Sequence, residues 1–258
     1  MKKTLTLAYA GFAYALAMAS IAYIIGFLAD FGVPKTVNSG QYYNNLWTAV
    51  AVNAALVLAF GLHHSITARR SFKARWTRLV PAHLERATYL YMTAIATGIL
   101  VVLWQPIPIT VWQIDADWAA ALVIALYLGV WGMMFAATFL VGHLSFFGFA
   151  QAWSRVREAP PPNAPFTARY LYAIVRHPIS LGWMLVPWLT PHLTVGQLVF
   201  ALTTTAYVLV ATWFEEADLV AELGDQYHDY RRKVPAFVPR LRMSRTRPPE
   251  ADARASDQ

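Results

Sequence analysis

The chain has no cysteine. That excludes disulfides, zinc–thiolate sites, iron–sulfur clusters and a cysteine nucleophile within it, and it leaves the redox compartment unread. Charge is scarce as well. Only 14% of the residues are Asp, Glu, Lys or Arg, against about 25% in soluble domains, so an ordinary water-soluble globule is excluded. A Walker motif, a Rossmann glycine fingerprint and a Ser–His–acid signature are all missing. The histidines follow no metal-ligand spacing, so no metal site is expected. No repeat divides the chain into two transporter-like halves.

What is abundant is apolar surface. Of the 258 residues, 57% are hydrophobic, which rules out disorder. They gather into long runs. The first, 5–29, carries no charge and exceeds the apolar region of a secretory signal, so it reads as a retained membrane helix. Further runs cover 46–62, 89–104, 118–141 and 195–214. The run 179–189 is short and is limited by Pro187 and Pro191. It is either a sixth crossing or half of a re-entrant hairpin. The expected fold is therefore an all-α, polytopic transmembrane helical bundle with five or six membrane segments.

The net charge of +7 resembles a nucleic-acid signal until it is mapped onto the chain. With six crossings, every Lys and Arg except Lys35 falls on one side, in the N-terminus, 63–88, 151–177 and the tail after 215. By the positive-inside rule that side is cytoplasmic and holds both termini. The basic loops suit lipid headgroups, and no nucleic-acid partner or obligate protein partner is expected. A single domain over 1–241 is expected, with a stiff proline connector near 160–165 and a polar, flexible tail over 242–258.

Polar chemistry concentrates in the C-terminal half. Arg176-His177-Pro178 stands directly before an apolar segment, with Gly182 four residues beyond Pro178. Pro178 suits a first helical turn. The free amides there can receive an anion, and Arg176 can bind a carboxylate in bidentate fashion. Glu215 and Glu216 end the last long run and can hold an amino group or ribose hydroxyls. The plainer readings are a positive-inside arginine, a capping histidine and an ordinary helix end. His63, His64 and His143 close two of the apolar runs, and the plain reading makes them interfacial hydrogen-bonding groups.

These residues carry a family resemblance. The stretch from Arg169 through Arg176-His177-Pro178 to Gly182-Trp183 resembles the cofactor motif of the isoprenylcysteine carboxyl methyltransferase-like membrane superfamily. Glu215-Glu216, Gly224 to Tyr230 and Val234 to Pro239 continue it in order. The N-terminal half is similar more narrowly to the methanethiol S-methyltransferase family. The similarity lies in Val33 to Gly40, His64-Ser65-Ile66-Thr67-Ala68-Arg69, Glu85 to Tyr89 and His143 to Gly148. Two positions depart from the pattern: Ser180 stands where a tyrosine is usual, and Gly142-His143 with Ser145 replaces an Asn-His and acidic pattern.

The resemblance implies an enzyme of the inner membrane that uses S-adenosyl-L-methionine to methylate methanethiol to dimethyl sulfide. Another small thiol, an isoprenylcysteine or a lipid-like acceptor is the alternative substrate, and a non-enzymatic membrane accessory role is a third reading. It implies a cytoplasmic C-terminal cofactor region. There Arg176, His177, Pro178, Gly182, Glu215 and Glu216 shape the pocket, and Tyr227 and Tyr230 line or lid its entrance. His143 is the residue it nominates for substrate polarity or for accepting the thiol proton.

Overall fold

In the computed structural model, residues 3–41, 45–160, 162 and 166–239 are described. The polar tail and most of the proline connector lie outside them. Five helices are long and apolar enough to cross a membrane: α1 (Lys3–Leu28), α2 (Leu46–Ala68), α4 (Ala82–Leu103), α5 (Asp117–Leu140) and α10 (Val195–Leu223). Shorter elements join them: α3 (Arg70–Trp76), β1 (Thr110–Gln113), α6 (His143–Phe146), α7 (Phe149–Val156), α8 (Leu171–Ile174), α9 (Pro178–Leu185), β2 (His192–Thr194) and α11 (Asp225–Lys233). The chain is a multi-pass, all-α membrane protein.

Local chemistry sets several of the boundaries. Asn45 caps α2 by accepting from the Thr48 amide at 2.9 Å, and Thr194 caps α10 by accepting from the Gln197 amide. Pro178 opens α9, where its missing amide costs nothing. The helices outrun the apolar runs at the Arg-rich end: α2 continues past His64, and α10 passes Phe214 to reach Leu223. Hydropathy marks where lipid stops. Good helix formers such as Glu, Ala and Leu carry the coil on into water.

The short segment after His177 runs alongside the apolar length of α10. Its start touches Glu216 and its end leads directly into Val195. Those two residues are separated along α10 by about 32 Å, close to the thickness of a bilayer core. Residues 178–194 span the same depth as α9, a 3-10 turn over Val186–Trp188 and β2. Pro187 interrupts regular helix here. Gln197 Nε2 donates to the Pro187 carbonyl at 3.2 Å and the Trp188 indole donates to Thr205, so the irregular backbone is satisfied inside protein.

β2 pairs antiparallel with β1 at the end of the bundle opposite the arginines, with Trp112 opposite Leu193 and Gln113 opposite His192. This small ribbon occupies stretches whose sequence reads as loop. Asn53 pins the same end by bonding both the amide and the carbonyl of Gln105. Beneath it lies a core of Phe27, Leu28, Trp104, Tyr127, Trp131, Met134 and Phe200. Nearer the arginines, Ala10, Ala13 and Ala17 of α1 let α4 and α7 approach closely, as small residues do in membrane bundles. Phe12, Trp47, Trp118, Leu128 and Trp213 remain exposed, as lipid-facing residues are expected to be.

Candidate active site

At the basic end, four elements meet on one carboxylate. Arg176 directs Nε (2.7 Å) and Nη2 at Glu216 Oε1, while its Nη1 donates to the carbonyls of Val234 and Arg231. His177 Nε2 lies 3.1 Å from the same oxygen, and Arg231 Nε lies 3.3 Å from the other. The backbone repeats the tie: the Arg176 amide donates to the Pro235 carbonyl at 2.9 Å, and the His177 amide donates to that of Ala236. The start of α9, the end of α10 and the segment after α11 are thereby locked together. Glu216 is buried, and little of the Arg176 side chain meets solvent.

Glu215 differs from its neighbour. Its side chain is 55% exposed, and Oε2 stands 3.7 Å from His177 Nδ1. His177 occupies the N-cap position of α9 without a side-chain capping bond, since its ring is turned to the two glutamates. The Leu181 amide closes the first turn on the His177 carbonyl. Among the described residues, the Ile179 and Ser180 amides have no backbone acceptor, as expected at a helix start. A carboxylate and free helix amides therefore stand together beside one histidine. That donor and acceptor set fits a zwitterionic amino acid, with its ammonium on Glu215 and its carboxylate at the amides.

Tyr227 and Tyr230 point inward. They are buried with Val234 against Phe166, Leu219, Val220 and Leu223, holding α11 onto α10. Tyr227 reaches Glu216 at 3.5 Å, and Tyr230 donates to the Tyr172 carbonyl at 2.5 Å. Burial raises the Tyr227 phenol and pushes Tyr230 up to about 12. Tyr172 is also pushed up to about 12, by burial first and then by the Glu215 charge. Gly182 faces Met134, and a Cβ there would meet that side chain, so the glycine serves the packing of α9 on α5.

His143 lies elsewhere, beyond the end of α5. The Thr138 hydroxyl donates to the Phe135 carbonyl, so His143 Nδ1 supplies the proton of its 2.7 Å bond to Thr138. That leaves Nε2 to accept from Tyr14 at 2.8 Å. Phe139 stacks on the ring at 4.3 Å and Phe147 lies 4.9 Å away. Burial lowers its pKa. Tyr14, Phe135, Phe139 and His143 border an apolar recess of about 590 Å³. Gly182 opposes Met134 on antiparallel helices, so Pro178 comes level with Thr138 one turn nearer the basic end. His143 and the glutamate cluster thus flank the same end of the α5–α9 pair.

Sequence reasoning passed over several partners here. Arg231, Tyr172, Phe166 and the carbonyls of residues 234–236 complete the cluster, and backbone acceptors leave no side-chain signal in a sequence. No group of three or more His, Asp or Glu among the described residues is arranged to hold a metal ion.

No family model matches the chain, and no solved structure is similar to it. Curated proteins are. The chain is 41% identical to a methanethiol S-methyltransferase of Pseudomonas deceptionensis, covering 83% of this chain and 82% of that one. It is 42% identical to methanethiol S-methyltransferase 2 of Bradyrhizobium diazoefficiens, over 91% and 90%. The methanethiol S-methyltransferase of Mycobacterium tuberculosis is 39% identical, over 93% and 98%.

Proposed function

The chain belongs to the methanethiol S-methyltransferase family, and from that premise we propose that it transfers a methyl group to the sulfur of methanethiol, releasing dimethyl sulfide. The observation that carries this reading is identity near 40% sustained over almost the whole of both chains. A methyl donor is required, and we take it to be S-adenosyl-L-methionine. Its amino acid end matches the Glu215 carboxylate and the free α9 amides. When bound, that donor supplies a methyl group already activated on a sulfonium.

The chain's own residues then have separate tasks. Glu215, His177 and the first turn of α9 bind the amino acid end. Arg176 and Glu216 spend their hydrogen bonds on each other and on the backbone after α11, so they shape this wall. Pro178 and Gly182 set α9 at the required angle and distance from α5, while Tyr227 and Tyr230 anchor the wall from behind. His143, closed in by Tyr14, Thr138 and two phenylalanines, positions the α1–α5 side. The thiolate is the competent nucleophile, so the site must also accept a proton. Alignment and exclusion of water supply the rest of the rate.

The purified protein in detergent, given methyl-labelled donor with methanethiol, ethanethiol and an isoprenylated cysteine, should place its label mainly in volatile dimethyl sulfide. Label found only in the isoprenylated product would reject the small-thiol reading while keeping the methyl transfer.

The basic end is assigned to the cytoplasm of the inner membrane, with both termini there, because among the described residues Lys35 alone carries positive charge at the opposite end. Single-cysteine labels at residues 40 and 110 should react with an impermeant reagent in intact cells, and one at residue 75 should not. The reverse pattern would invert the topology.

A further inference from the structure

Two inward stripes run toward the basic end of the bundle. On α2, Asn53, Val57, Phe60 and His64 follow each other at helical spacing. Asn53 and Val57 are buried, and Phe60 packs on the core. On α10, Thr204, Val208, Ala211 and Glu215 keep the same spacing, with Thr204 and Val208 buried. The two helices are joined side by side. Ser65 bonds Tyr207 at 2.7 Å, Tyr207 donates to the Gly61 carbonyl at 2.7 Å, and Gly61 lacks the Cβ that would strike the Tyr207 ring. Yet the last residue of each stripe is open, His64 as a whole and Glu215 along its side chain. Both open residues stand at the basic end of inward stripes, on two helices that pack side by side.

We propose that the thiol acceptor is received at this basic end of α2 and that His64, positioned by Tyr89, is the base that takes the thiol proton. The assignment rests on the methanethiol methylation reading and names the acceptor side of that site. His64 Nδ1 stands 2.5 Å from the Tyr89 hydroxyl, while Nε2 has no partner among the described residues. With Nδ1–H donated to the Tyr89 oxygen, Nε2 carries the lone pair, as a base requires. Next to it, His63 lies parallel to the Tyr89 ring at 6.3 Å, and both of its ring nitrogens are buried without a partner. His143 offers no such free nitrogen, because Tyr14 and Thr138 take both. The charged and titratable groups that face His64 are Arg86 and Tyr89 from α4 and His63 from α2, with Glu85 of α4 and Tyr207 of α10 beyond them around Tyr89.

The step balances. His64 Nε2 takes the proton of the thiol S–H bond. The thiolate electron pair forms the new bond to the methyl carbon, and the pair of the broken carbon–sulfur bond stays on the donor sulfur, which becomes neutral. His64 then releases its proton to water.

His64→Gln should lower kcat for methanethiol by at least about 100-fold, within the range of general base catalysis. Its affinity for S-adenosyl-L-homocysteine, read by calorimetry, should stay within about threefold, a change under 1 kcal/mol. Added imidazole should restore turnover to His64→Ala, which a purely structural role would not allow. A readout free of turnover is the ring nitrogen NMR signal of His64 in protein loaded with S-adenosyl-L-homocysteine, which should shift when methanethiol is added. Wild-type turnover by His64→Gln, or an unshifted signal together with no imidazole rescue, overturns the assignment. Wild-type protein that forms no dimethyl sulfide overturns the methanethiol reading beneath it, and that result is read separately from the variants.

Discussion

Arg176→Ala is expected to destabilise the folded protein by about 3 kcal/mol, the low end of what breaking a buried ion pair costs. The Arg176 and Glu216 side chains are only 9% and 11% exposed, so removing the guanidinium leaves a carboxylate facing little water. Glu216 keeps His177 and Arg231, which is why the low end applies. The substitution also frees the carbonyls of Val234 and Arg231, and with them the segment that closes the cluster. Arg176→Lys should fail in the same direction, since a point charge cannot reproduce a planar fork that serves a carboxylate and two carbonyls at once. Arg231→Ala should cost less than about 1 kcal/mol, because that side chain is 42% exposed and its pair is screened. Thermal unfolding in one detergent measures all three. Equal losses for Arg176→Ala and Arg231→Ala would show that burial does not set the strength of this cluster.

That expectation revises the role that sequence patterning suggests for Arg176. A motif of Arg-His-Pro with a distant Glu pair is legible as a site, and the structure does gather those residues. Their division of labour is not legible, because it depends on which partner reaches each group first. Adjacent glutamates point to different sides of α10: one is buried under two arginines and the other faces an opening. The resemblance puts Tyr227 and Tyr230 at the entrance, and in the structure they pack against Phe166 and hold α11 onto α10.

The spans were legible because lipid imposes a composition that water does not. The segment 178–194 left two readings open in the sequence, a sixth crossing or half of a re-entrant hairpin. Its regular helix is only eight residues long, and its depth is defined by where its two ends meet α10. The place of His64 was not legible, since a histidine at the end of an apolar run reads as interfacial until the neighbouring helix shows that its stripe faces inward.

Binding of S-adenosyl-L-homocysteine to Glu215→Lys tests whether Glu215 and the start of α9 form the donor site. Glu215 is half exposed and pairs with His177 only at 3.7 Å, so the variant keeps the buried cluster and should fold. Reversing the charge removes the ammonium's partner and places a like charge in its seat. Calorimetry should show saturable binding to chelator-treated wild-type protein. It should also show a loss of at least about 100-fold in Glu215→Lys, equivalent to about 2.7 kcal/mol. Wild-type affinity retained by folded Glu215→Lys, or no saturable binding to the folded parent, would contradict the account.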